Sequence, residues 1–176
     1  MELIRNKVAE SGIITLDLET FIPKAEVIVL FDLKPFLFRE MILREKDYRA
    51  GLTEHDWSKY EGKHVGIICS TDAIIPMWAF MLASVYLQPV AASIHYGAAD
   101  VVKNEVALRK IYLLPDSEFT DKRIVLKGCG ENPVPQSLYI AATEKLRPIA
   151  RSLMYGEPCS TVPIYKKTVT PKAENA

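Results

Sequence analysis

Val65-Gly-Ile-Ile-Cys69, the turn Ser70-Thr-Asp72 and the run Pro76-Met-Trp-Ala-Phe-Met-Leu-Ala-Ser-Val-Tyr-Leu87 form the stretch whose reading decides the fold. Its first piece is short and wholly apolar, the pattern of a strand covered on both faces. The polar turn then feeds a helix whose first residue is proline, where the missing N–H costs nothing. Val90–His95 reads as the next strand, and a helix follows near Asp100–Leu113. A strand, a helix and a strand in this order suggest right-handed crossovers and a largely parallel sheet.

Working outward, Arg123–Lys127 is a further strand, ending at Gly128-Cys129-Gly130. Pro133 and Pro135 open a helix that reaches about Leu153, interrupted at Pro148. Toward the N-terminus, Leu3–Glu10 fits a short amphipathic helix stopped by Ser11-Gly12. Ile13–Leu18 and Glu26–Leu33 read as strands separated by a turn at Pro23, and pair as an N-terminal β-hairpin. Pro35 opens a helix over Phe36–Arg49, with Phe38, Met41, Ile42 and Glu45 at helical spacing. Gly51–Gly62, with His55, Trp57 and Tyr60, reads as loop with a short helix. No repeat of fixed period is apparent. The expected fold class is therefore α/β, with a mainly parallel or mixed central sheet, helices packed on it, and the N-terminal hairpin. Residues 1–165 are expected to form a single domain and 166–176 a flexible tail.

Composition narrows the function classes. The 176 residues are 49% hydrophobic and 25% charged, ordinary for a globular protein that buries a core. With 22 basic and 22 acidic residues the formal net charge is zero, so the basic footprint of a nucleic-acid binder is missing. Ala73–Ala99 carries no Asp, Glu, Lys or Arg, but Pro76 and Pro89 leave about three helical turns between them, too few to span a bilayer. The N-terminus lacks the layout of a secretory signal, and three cysteines, an odd number, favour a reducing, cytoplasmic setting.

Those cysteines carry the sharpest chemical expectation. Cys69 and Cys129 each close an apolar strand, and each precedes a turn that feeds a proline-led helix. In an open α/β sheet, ligands bind outside the carboxyl ends of the strands. A helix N-terminus there favours the thiolate. Cys159 joins them only if the C-terminal segment doubles back. Three thiolates, with His95 at the end of the intervening strand, would suit zinc or an iron–sulfur cluster. Against this, closely spaced cysteine pairs are absent, and buried cysteines commonly act as small apolar side chains. His55, beside Asp56, has a base's neighbours but reads better as a surface-loop residue, and His64 begins a strand at the edge opposite Cys69. No phosphate loop, nucleophile elbow or dinucleotide fingerprint occurs.

Leu43-Arg-Glu-Lys-Asp-Tyr-Arg49, His55-Asp-Trp57, Cys69-Ser-Thr-Asp-Ala-Ile-Ile-Pro-Met-Trp78, Lys127-Gly-Cys-Gly130 and Met154-Tyr-Gly-Glu-Pro-Cys-Ser-Thr-Val-Pro163 together carry a family resemblance. The chain resembles a bacterial family of about this length whose activity is not assigned, so the resemblance supplies no catalytic residues. The resemblance implies genes that often lie near those of a sulfur-mobilising iron–sulfur assembly system. The resemblance therefore implies an accessory role in cluster assembly, with assembly proteins as partners.

Two readings follow. In one, Cys69, Cys129, Cys159 and His95 hold a metal, cluster or persulfide in iron–sulfur or sulfur handling. In the other, the cysteines are structural and the chain is a non-catalytic interaction module presenting Trp57, Tyr60 and Gly156–Tyr165. A cysteine-nucleophile enzyme is a third possibility, with His95 as the base on the right edge.

Overall fold

The computed structural model describes residues 12–128, 133–157 and 160–168. The helix expected at Leu3–Glu10 and the tail beyond residue 168 lie outside them. Strands are β1 (Ile13–Asp17), β2 (Ile28–Asp32), β3 (Leu37–Phe38), β4 (Ile42–Leu43), β5 (His64–Ile68), β6 (Ser93–Tyr96), β7 (Arg123–Lys127), β8 (Ser152–Glu157) and β9 (Ser160–Lys166). Helices are α1 (Glu45–Glu54), α2 (Met77–Leu87), α3 (Ala99–Tyr112), α4 (Asp116–Phe119) and α5 (Gln136–Leu146). The fold class is α/β, with largely parallel sheets and helices packed on them.

The chain divides into two compact units: Met1–Ile22 with Ala107–Ala176, and Pro23–Val106. The first unit holds the sheet β1-β7-β8-β9, parallel except for the β8–β9 pair. The second holds the all-parallel sheet β2-β5-β6 and the small hairpin β3–β4. Each has its own core. Ile124, Leu126, Leu138, Ala142 and Leu146 anchor the first, and Phe31, Tyr48, Val65, Ala83 and Leu87 the second. Full burial of one such leucine stabilises by roughly 2 kcal/mol.

The expected N-terminal hairpin does not form. β1 pairs in parallel with β7, and β2 in parallel with β5. Ile28–Phe31 of β2 is apolar on both faces, which suits a covered parallel sheet better than a half-solvated hairpin, whereas β1 carries Thr15 and Asp17 on one face and still pairs in parallel. The Asp17 carboxylate turns the chain at once by accepting from the Glu19 N–H at 3.1 Å. The helix expected over Phe36–Arg49 starts late, because Arg39 and Glu40 take positive φ (50° and 56°) in the β3–β4 turn, and α1 then runs to Glu54. Such φ values break a helix. The C-terminal helix also ends early, at Leu146, where Pro148 stops it; Ser152–Glu157 and Ser160–Lys166 are strands.

A repeat absent from the sequence reading emerges in the structure. From His64 to Arg123, 59 residues on, the central strand, the proline-capped helix and the returning strand of one unit each have a counterpart in the other. Pro76 and Pro135 cap helices of 11 residues each. Leu87-Gln-Pro-Val-Ala91 and Leu146-Arg-Pro-Ile-Ala150 end them, and in both the last alanine's N–H donates to the leucine carbonyl at 2.8 Å. Val90 then accepts from Gly62 and Ile149 from Asp121, each at 2.9 Å, from residues with positive φ (65° and 58°). β1 and β2 match as well. Each ends in an aspartate, Asp17 or Asp32, that accepts from the N–H two residues on, and a fully buried leucine follows each, Leu18 or Leu33.

Among the described residues, no helix is long and apolar enough to cross a membrane.

Candidate functional site

α2 contains no charged residue because it is apolar on two faces. Ala79, Ala83 and Leu87 are buried in the core of the second unit, two of them small enough for close helix–sheet approach. Met77, Met81 and Val85 point the other way and are 71%, 69% and 66% exposed, and Ile74 in the preceding loop is 95% exposed. One stripe of large apolar side chains thus stays uncovered, which is uncommon on a monomer's surface.

That stripe borders an open cleft of about 850 Å³. Ile67, Cys69, Thr71 and Ile75 come from the end of β5 and the loop beyond it. α2 contributes Met77, Phe80, Met81 and Ser84, and β6 contributes Ile94, His95 and Tyr96. The cleft therefore lies at the carboxyl ends of parallel strands, where α/β sheets bind ligands. The Phe80 and Tyr96 rings meet edge to face at 5.6 Å between centroids.

Asp32 fixes the loop that carries Cys69. Its Oδ1 accepts from the N–H groups of Lys34 and Ser70, both at 3.0 Å, and its Oδ2 accepts from the Ser70 hydroxyl. Burial on its own would raise the Asp32 pKa. The hydrogen bonds from Ser70 and Lys34, with the Lys34 charge, outweigh it and hold the carboxyl below its ordinary 3.8.

His95 reaches the cleft through a polar chain. A carboxylate only accepts, so His95 Nδ1–H donates to Glu105 Oε2 at 2.7 Å, and in the neutral imidazole Nε2 accepts from the Ser93 hydroxyl at 2.7 Å. The Ser93 oxygen in turn accepts from His64 Nδ1 at 2.7 Å. Carboxylate, imidazole and hydroxyl stand in the order of a nucleophile relay. Ser93 does not line the cleft, however, and its hydroxyl is engaged on both sides. What the chain does is tie α3 to β6 and lock the His95 ring.

Cys69 and His95 therefore share one cleft, as their strand positions suggested. Both ring nitrogens of His95 are already hydrogen-bonded, so ligation to a metal would require breaking one of those bonds. Cys129 and Cys159 lie outside the described residues. Among the described residues, no group of three or more His, Cys, Asp or Glu side chains could hold a metal ion. Gly128, not Cys129, stands at the position of Cys69 in the repeat.

His55 sits in the loop after α1 but is half-buried. It packs among Phe31, Phe36, Trp57 and Tyr60, with ring centroids 4.7–5.8 Å away, and its Nε2 lies 3.2 Å from the Tyr60 hydroxyl. Burial, and then the Lys59 charge, push its pKa below 6.5, against a smaller opposing effect of Asp56. Trp57 and Tyr60 belong to this same cluster rather than to an exposed surface. Tyr60 is 1% exposed, and the Trp57 Nε1–H donates to the Leu52 carbonyl at 2.9 Å. The α2 stripe is what sequence reading missed. Its signal is the uncharged run from Ala73 to Ala99, which the sequence reading uses only to exclude a membrane span.

A model of the family described as protein of unknown function (DUF2480) matches residues 2–167 of the chain. No curated protein and no solved structure matches it.

Proposed function

We propose that this chain, which belongs to the DUF2480 family, is a protein-interaction module whose working surface is the apolar cleft between α2 and β6. The observation that carries this reading is the uncovered stripe Ile74, Met77, Met81 and Val85 beside an open cleft. Methionines suit such a surface because their flexible, polarisable side chains adapt to varied apolar partners. The test is proximity labelling in the cell of origin, comparing the natural chain with Met77→Lys/Met81→Lys and with Cys69→Ser. Loss of a reproducible partner set with the lysine variant, and its retention with the serine variant, is the expected result. An unchanged partner set with the lysine variant would sink the reading.

A second reading is favoured by one observation: the Cys69 thiol and His95 line that same cleft. Here the cleft handles sulfur, zinc or an iron–sulfur cluster through Cys69, with Cys129, Cys159 and His95 as further ligands and iron–sulfur assembly proteins as partners. Soft thiolates suit each of these cargoes. Metal and acid-labile sulfide would be assayed on protein purified without oxygen or chelators. Stoichiometric metal that disappears in Cys69→Ser supports this reading. A metal-free chain with three unreactive thiols removes it.

A further inference from the structure

The repeat shows what the cleft lacks. β8, the counterpart of β6, is paired on both sides, with β7 in parallel and with β9 antiparallel. Among the described residues β6 pairs with β5 alone, so its outer edge is open. Gly97 N–H donates across that ladder to the Ile67 carbonyl at 3.1 Å. Backbone groups alternate sides along a strand, so the amide and carbonyl of Ile94 and Tyr96 point away from β5. Both residues line the cleft, and Tyr96 is 73% exposed.

An open edge beside an apolar groove is the arrangement that accepts an added strand. Main-chain bonds supply affinity, and alternate side chains seat in the groove. The first unit displays the product of such an addition. In it, Leu153 and Tyr155, the counterparts of Ile94 and Tyr96, face Tyr165 and Val162 of β9. The occupant of the β6 edge should likewise be antiparallel and apolar at alternate positions, since no charge lies between Ala73 and Ala99 to attract an ionised side chain. A second copy's β6 offers only four residues, and its Ile94 and Tyr96 already line that copy's own cleft.

We propose that the free edge of β6 takes an extended apolar segment of another protein as an added antiparallel strand, seated in the cleft against α2. This rests on the cleft being the working surface and specifies how it binds.

Random seven-residue peptides displayed on phage and selected on the full chain supply the probe. Selected peptides are expected to alternate apolar residues. On binding they should slow amide exchange at Ile94 and Tyr96, read by NMR. Tyr96→Pro removes an edge N–H without removing one that bonds β5, and should weaken binding roughly tenfold. Met81→Lys, on the exposed helix face, tests the groove with the strand intact and should weaken binding as well, even if the proline variant does not fold. Binding that leaves both amides unprotected overturns strand addition while sparing the cleft. No enriched peptide, or binding indifferent to Met81→Lys, overturns both. Protection that grows with protein concentration in the absence of peptide makes a second copy the occupant and overturns the assignment to a different protein.

Discussion

The two units share a plan of strand, proline-capped helix and returning strand, yet differ at the residue that follows the central strand and in what pairs with the returning strand. In the unit built around β7, a Cβ added to Gly128 would fall on the hydroxyl of Tyr139. Its counterpart around β5 has Cys69 and Phe80 at these positions: the ring lacks the hydroxyl, and the strand end has room for a thiol. Tyr139 and Tyr155 make the edge-to-face contact that Phe80 and Tyr96 make, at 5.8 Å against 5.6 Å. Strand pairing differs too, since β9 covers the outer edge of β8 while, among the described residues, no strand covers that of β6. A shared backbone thus supports one covered strand edge and one open edge with an exposed groove. Side-chain size at the strand end and one extra strand account for the contrast.

Exchanging residues between matched positions tests that comparison. Gly66 and Val125 occupy the same place in the repeat. Val125 is fully buried, whereas a Cβ on Gly66 would lie 2.4 Å from the Gly97 carbonyl and 2.8 Å from Val102. Gly66→Ala should therefore cost about 3 kcal/mol, because backbone blocks relaxation. Both tryptophans, Trp57 and Trp78, lie in that unit, so urea unfolding followed by their fluorescence reads the loss directly. A wild-type midpoint would refute the close approach of Gly97 and Val102 to Gly66.

Gly128→Ala should cost less, about 2 kcal/mol, because the obstructing group is a side chain that can move. Combining it with Tyr139→Phe removes the obstructing hydroxyl, as Phe80 does beside Cys69, and should recover about 1 kcal/mol of that loss in a double-mutant cycle. Strict additivity would show that the two residues do not oppose each other. Asp121→Gly should stabilise by about 1 kcal/mol, since glycine accepts the positive φ that Gly62 already takes at the matching turn. Thermal unfolding by circular dichroism would measure the rise.

The smallest effect expected is pH-dependent. Because the folded-state pKa of His55 is lowered, the unfolded chain binds the extra proton, so stability is full above pH 6.5 and declines as pH falls toward the folded value. His55→Phe should flatten that slope in fluorescence-detected urea titrations. An unchanged slope would assign it to another group.

Local signals were legible where one element's pattern sufficed. Arg123–Lys127 reads directly as a strand, and α2 is bracketed by Pro76 and Pro89, which remove the N–H a longer helix would need. The segments misread were those whose state depends on distant partners. Ser152 and Leu153 fall within the run read as helix, but pairing with β7 and β9 makes them strand. Of the candidate site, the placing of Cys69 and His95 on one edge was legible from strand ends alone. The uncovered face of α2 was not, because an uncharged run looks the same whether both its faces are buried or one is bare.

By itself the sequence determined the α/β class, the positions of the central strands and the limits of α2, because backbone periodicity and proline chemistry act within a few residues. Tertiary structure alone decided that β1 and β2 join different sheets, that the two units match, and which sheet edge stays open. Those outcomes depend on hydrogen bonds and volumes shared by residues far apart in the chain, which no local pattern encodes.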